Sequence, residues 1–378
     1  MSGPLRILVV TRSYPAADDL YQYPFVHRRV LAYRELGHEV AVFRPADRAT
    51  SSHDYEGITC RAGDGDALSA LSRDFRPDVA AVHGLAETMW PTLSVVQDLP
   101  ICAWLHGSEI PAFFRQKAAA LADKAARDFA MSQVEARKAF WIKLLGEKRP
   151  DLKLVFPSQS AVQLMREDLG DLLSNTAAVP NPIDTRLFRY EPKSDDERCR
   201  VLSIRPFDSS TYANDLSVAA ILALAGRPGF DRVHFTIIGD GPLFDETLEP
   251  IKGMANVTIR QQFLTQREIA DEHSRHGLFL VPTRLDTQGV SRDEAMSSGL
   301  VPVTNAIAPV LEFADDTCAA LAAPNDHSGL AETLWETTQS PELFHKRSVA
   351  AAHRVRKQSA NDIVIPAELT LLTETAGG

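Results

Sequence analysis

The sequence predicts an α/β protein built from two Rossmann-like, doubly wound domains, and three observations predict it. Short apolar segments, among them Ile7-Leu8-Val9-Val10, Val79–His83 and Ile101–His106, alternate with segments of helical spacing, the mark of successive βαβ units. That alternation pauses at a polar, charged stretch, Pro192 to Glu197, and starts again at Arg200. A chain of 378 residues with 44% hydrophobic content can also bury two ordinary cores. The expected division is residues 1–188, residues 189–345 and a helical tail over 346–378.

In order along the chain, Arg6 to Thr11 is the first strand, and a polar loop with two prolines runs from Ser13 to Pro24. A helix from Phe25 to Leu36 is closed by Gly37 and leads into a strand from Glu39 to Phe43. The strands Val79–His83 and Ile101–His106 each end in a His-Gly pair, at the sheet edge where doubly wound proteins meet ligands. Lys153–Pro157 (strand), Gln159–Asp168 (helix) and Thr176–Val179 (strand) complete the first half. The second half has strands at Arg200–Ile204, Val233–Ile238 and Val257–Arg260, with helices at Asn214–Ala225 and Glu268–His276.

The most informative stretch runs from Leu278 to Asn305. An apolar strand ending at Val281, a polar turn containing Gly289, a helix over Arg292–Ser298 and a buried strand from Leu300 to Thr304 make one βαβ unit. The first amides of a helix have no intrahelical acceptor and carry the positive end of its dipole. The backbone N–H groups of Gln288, Gly289, Val290 and Ser291 are therefore candidates for binding phosphate oxygens. Asp286 and Glu294 bracket this turn, and beside a diphosphate a carboxylate is suited to accept sugar hydroxyls. Ser291 and Glu294 also have the S-x-x-E spacing of a capping box, which requires no ligand.

With its acids at 286 and 294, its glycine, the Glu294-Ala295-Met296 helix and the Gly299-Leu300-Val301-Pro302-Val303 segment, this stretch resembles the E-x7-E signature of the retaining family-4 glycosyltransferases of GT-B fold. It is similar to a bacterial branch acting in surface-polysaccharide assembly. The resemblance implies two domains facing across a cleft, a tail that crosses back to the first domain, and no metal or other cofactor. The donor substrate would be a nucleoside-diphosphate sugar, with a glycan or lipid-linked acceptor. It implies that His106, in Leu105-His106-Gly107-Ser108-Glu109, reaches the transferred sugar, and that Arg205, just past a strand, binds the diphosphate. Two departures stand out. The loop after the first strand lacks the usual glycine pair, and Asp208–Tyr212 lacks the usual lysine after Arg205. They keep a second class open, a GT-B-like protein that binds a nucleotide or glycan without turnover. A GT-B epimerase or phosphorylase is a further alternative.

The net charge of −10 falls in the second half and argues against nucleic acid as a partner. Residues 115–153 are locally basic. Within them Phe140, Trp141, Leu144 and Leu145 share one helical side over 137–145, which reads either as a core face or as a peripheral contact with the inner face of the plasma membrane. No apolar run approaches the roughly 20 residues of a membrane span. The dispersed Cys60, Cys102, Cys199 and Cys318 read as reduced cytoplasmic thiols, neither disulfides nor a zinc site. Asp64-Gly65-Asp66, the one D-x-D triplet, reads as a solvated turn, and Glu109 and Asp240 as structural.

Overall fold

A computed structural model describes residues 3–17, 20, 22–47, 50–119, 121 and 124–377; Asp18, Asp19 and Tyr21 of the expected first loop lie outside the described residues. The chain forms two compact units, one of Met1–Pro182 with Asp362–Gly378 and the other of Ile183–Asn361.

The first unit contains β1 (Arg6–Thr11), β2 (Glu39–Pro45), β3 (Ser51–Tyr55), β4 (Ile58–Gly63), β5 (Val79–His83), β6 (Ile101–Trp104), β7 (Leu152–Phe156) and β8 (Thr176–Ala178). Their order across the sheet is β3-β4-β2-β1-β5-β6-β7-β8. Every neighbouring pair is parallel except β3 and β4. Helices cover both faces of the central strands, so Ile7 to Val10 are all fully buried, as their unbroken apolar run demands. The β3–β4 hairpin has no counterpart in the sequence reading. It turns at Glu56-Gly57, both at positive φ, and β3 is the polar run Ser-Ser-His-Asp-Tyr at a sheet edge, without apolar alternation. Asp64, read as part of a solvated turn, caps the helix Gly65–Phe75, accepting the Ala67 N–H at 3.1 Å.

Of the two readings of the apolar side over 137–145, the packing found is that of a core face. On the helix Lys124–Gly146, Trp141 and Leu144 are fully buried in the core of the first unit, and Phe140 and Leu145 pack against that core. Trp141 Nε1 also donates to the Glu109 carbonyl at 2.9 Å, a bond that fixes the ring inward. Among the described residues no helix is long and apolar enough to cross a membrane.

The tail divides between the units. The helix Pro341–Gln358 stays with the second, where Ser348 Oγ donates to the Gly299 carbonyl at 2.6 Å. Only the helix Asn361–Gly377 packs into the first, its Glu368 buried against Arg29 and Tyr33 at 2.8 and 2.6 Å. The first boundary falls at Pro182, ahead of the expected 188, because Ile183 and Phe188 are both core residues of the second unit.

The second unit holds β9 (Arg200–Ile204), β10 (His234–Gly239), β11 (Val257–Gln261), β12 (Leu278–Leu280), β13 (Val301–Asn305) and β14 (Ala320–Ala322). They form a parallel sheet in the order β11-β10-β9-β12-β13-β14. Strand order reverses between β9 and β12. The carboxyl ends of those two strands therefore diverge into the crevice where open α/β sheets bind ligands.

Candidate active site

Arg205 is the first residue past β9, and its N–H donates to the Ile238 carbonyl at 3.0 Å. The loops after β9 and β10 come so close that a Cβ on Gly239 would stand 1.9 Å from the Arg205 carbonyl oxygen, so only glycine fits there. The Arg205 side chain is buried. Nη2 donates to the Pro282 carbonyl at 3.3 Å, the guanidinium carbon lies 4.9 Å from the Tyr212 ring centre, and Nε has no hydrogen-bond partner among the described residues. Burial pulls the guanidinium pKa below its ordinary value, and the nearby Asp286 carboxylate works against that shift. A buried cation with an orphan donor at a switch point is the arrangement an anionic ligand would complete.

The turn after β12 positions the remaining candidates. Asp286 Oδ1 accepts the N–H groups of Thr287 and Gln288 at 2.8 and 3.1 Å, an Asx turn that tightens the backbone ahead of Gly289. One expected phosphate donor, the Gln288 amide, is thereby engaged. Gly289 stands at φ 96° and is the N-cap of the helix Val290–Ser297, which starts two residues earlier than expected. Ser291 thus lies inside the first turn, and the helix has no side-chain cap. Ser291-x-x-Glu294 is therefore not a capping box. The amides of Gly289, Val290 and Ser291 keep the positions that lack intrahelical acceptors. Glu294 is half-buried one turn further on, and its backbone carbonyl accepts the Ser298 N–H.

Beneath this turn lie two charged residues that the sequence reading passed over. Arg292 and Asp293 are 2% and 1% exposed. Arg292 Nη2 donates to the Gln288 carbonyl at 2.6 Å and to Asp293 Oδ1 at 2.7 Å, and Gln288 Nε2 donates to Asp293 Oδ2 at 3.0 Å. Burial pushes the Asp293 carboxyl up, and Arg292 opposes that rise. The available signal was an Arg-Asp pair at helix positions whose neighbours Ala295 and Met296 read as core.

His106 lies in the other unit. It follows β6 and shares a hydrogen bond of 3.2 Å with His83, the last residue of β5. The loop is braced by Glu109, whose buried carboxylate accepts the N–H groups of His106 and Gly107 at 2.9 and 3.1 Å and a bond from Arg12 at 3.2 Å. Asp240 is likewise structural, accepting from the Gly241 N–H and Gln261 Nε2. The four cysteines are unpaired. Among the described residues no group of three or more His, Cys, Asp or Glu side chains is arranged to hold a metal ion.

Comparison with known proteins bears on both halves. Residues 201–339 match the family model described as "Glycosyl transferases group 1". No curated protein sequence matches the chain. Among solved structures it is similar to sucrose-phosphate synthase from Thermosynechococcus elongatus, at TM-score 0.74 and 15% identity over 97% of this chain and 98% of that one. It also resembles the Anabaena protein HepE in complex with UDP and glucose, at 0.72 and 13% over 98% and 100%. An E. coli structure described as trehalose-6-phosphate bound with UDP-2-fluoro glucose aligns at 0.67 and 13% over 97% and 98%. The chain thus has the α/β architecture of GT-B structures, and residues 201–339 match a group 1 glycosyl transferase domain.

Proposed function

We propose that the protein is a retaining, metal-independent glycosyltransferase of family 4, moving a sugar from a nucleoside-diphosphate sugar to a glycan or lipid-linked acceptor in cytoplasmic surface-polysaccharide assembly. The observation that carries this reading is Arg205, a buried, incompletely bonded guanidinium at the switch point of the domain that matches the glycosyl transferase model. Sugar transfer leaves negative charge on the departing diphosphate. Arg205 and the amides at Gly289, Val290 and Ser291 can meet that charge without reorganising. Asp286 and Glu294 then accept hydroxyls of the ribose or the sugar. Retention and the role of His106 follow from the resemblance of the 281–305 segment. The similar structures that hold UDP and glucose, or UDP-2-fluoro glucose, support the donor class.

A thermal-shift panel of nucleoside diphosphates tests the reading. A ligand held at 100 times its Kd stabilises the native state by about 2.7 kcal/mol. At least one of UDP, GDP, ADP, CDP and TDP is expected to raise Tm, with EDTA present as without it. A panel in which none does so contradicts the proposal.

A further inference from the structure

We propose that Arg292, Asp293 and the Gln288 side chain are positioning residues that hold the Asp286–Gly289 turn in its diphosphate-binding shape, a role that rests on the nucleotide-sugar reading above. Helix residues i and i+1 do not face each other, so a bond between Arg292 and Asp293 is not an ordinary helix-surface ion pair. It forms because the Arg292 side chain folds back to the carbonyl of Gln288, four residues earlier and outside the helix. From the other side, Gln288 Nε2 reaches Asp293 Oδ2, so the two ends of the turn are laced through one carboxylate.

Gly289 is caught inside this lacing. A Cβ there would lie 3.0 Å from Arg292 Nη1 and 3.3 Å from Asp286 Oδ2, and its φ of +96° suits glycine alone. The knot therefore sets both the height of the Gly289 amide and the side of the turn on which Asp286 stands.

Helix stability does not explain the arrangement. In the first turn Asp293 complements the helix dipole and Arg292 opposes it, so the pair gains little there, and removing a fully buried ion pair from water costs more than apolar side chains of similar volume would. Asp286 and Arg292 both act electrostatically on Arg205, so the knot belongs to the same charge cluster as the buried guanidinium. A buried polar network in that setting fixes one geometry at the expense of stability.

The experiment replaces the pair by apolar residues, Arg292→Leu with Asp293→Val, and titrates each of UDP, GDP, ADP, CDP and TDP that wild type binds, beside the matching nucleoside. The expected result is a folded apo protein whose Tm falls modestly, because Gln288 Nε2 loses Asp293 as its acceptor, a loss of tenfold or more in affinity for the diphosphate that wild type binds, and a clearly smaller loss for its nucleoside. Diphosphate affinity within twofold of wild type overturns the positioning role. So does an equal loss for diphosphate and nucleoside, which is the pattern of general damage. Should the double variant not fold, Arg292→Lys keeps the charge but not the forked contact. It is expected to lose severalfold in diphosphate affinity at wild-type Tm, and wild-type affinity there overturns the role as well. A wild-type protein that binds none of UDP, GDP, ADP, CDP and TDP overturns the nucleotide reading itself, and the positioning role with it.

Discussion

His83 Nδ1 and His106 Nε2 stand 3.2 Å apart with their rings only 12° from parallel, so one ring donates to the other and the accepting ring is neutral. Burial pushes both pKa values well below the ordinary histidine value, and the Arg29 guanidinium adds to the shift. The unfolded chain, with histidines near pH 6.5, takes up these protons before the folded protein does. Stability from the pair is therefore complete above about pH 6.5 and falls as the pH drops below it, by up to about 1.4 kcal/mol per pH unit and per ring. NMR of the imidazole carbons should show neither ring titrating between pH 8 and pH 6. A midpoint near 6.5 for either one contradicts the neutral pair.

Arg205→Ala should weaken nucleoside diphosphate binding by about 1.5–3 kcal/mol, the scale of hydrogen bonds to a charged group. Calorimetric titration measures it directly. Unchanged affinity removes Arg205 from the site.

Glu294→Gln separates ligand binding from helix support. With Gly289 as the N-cap and Ser291 inside the helix, no cap depends on the Glu294 charge. The apo Tm should stay within about 2 °C, because an isosteric change at a position outside any cap usually costs about 0.5 kcal/mol or less. Nucleotide or transition-state binding should fall by about 1–3 kcal/mol. A variant with wild-type affinity and turnover leaves Asp286 and the helix amides to define the site.

The sequence disclosed the parts of the fold whose burial is written in residue type. Unbroken apolar runs such as Ile7–Val10 become central strands, and Leu278–Asn305 forms the strand, turn, helix and strand expected of it. It did not disclose β3, whose polar Ser-Ser-His-Asp-Tyr run pairs at a sheet edge through its backbone ladder and the Thr59–Asp54 side-chain bond, with no apolar alternation to mark it. Nor did it separate core from membrane for Phe140, Trp141, Leu144 and Leu145, because one apolar helical side serves either purpose. Arg292 and Asp293 escaped for a related reason. Charged residues are normally solvated, and their burial depends on partners such as Gln288 that only the folded turn brings to them.

Arg29 and Glu368 test how the C-terminal helix is held. Both side chains are fully buried at 2.8 Å, and Asn181 accepts from Arg29 as well. Glu368→Ala strands a buried guanidinium and should cost about 3–5 kcal/mol of stability. Replacing both, Arg29→Met with Glu368→Leu, should recover most of that loss in urea denaturation. A single variant as stable as wild type contradicts the pair's structural role.

Turnover of a nucleotide sugar in the absence of acceptor is the most direct test of the central claim, that the switch point of the second unit activates a nucleoside-diphosphate sugar. The measurement is release of free nucleoside diphosphate from a panel of UDP-, GDP-, ADP-, CDP- and TDP-sugars in the presence of EDTA. The account predicts slow release from at least one donor by wild type, and release reduced at least tenfold by Arg205→Ala, the equivalent of about 1.4 kcal/mol of transition-state stabilisation. Release from no donor, or equal release by wild type and Arg205→Ala, would contradict it.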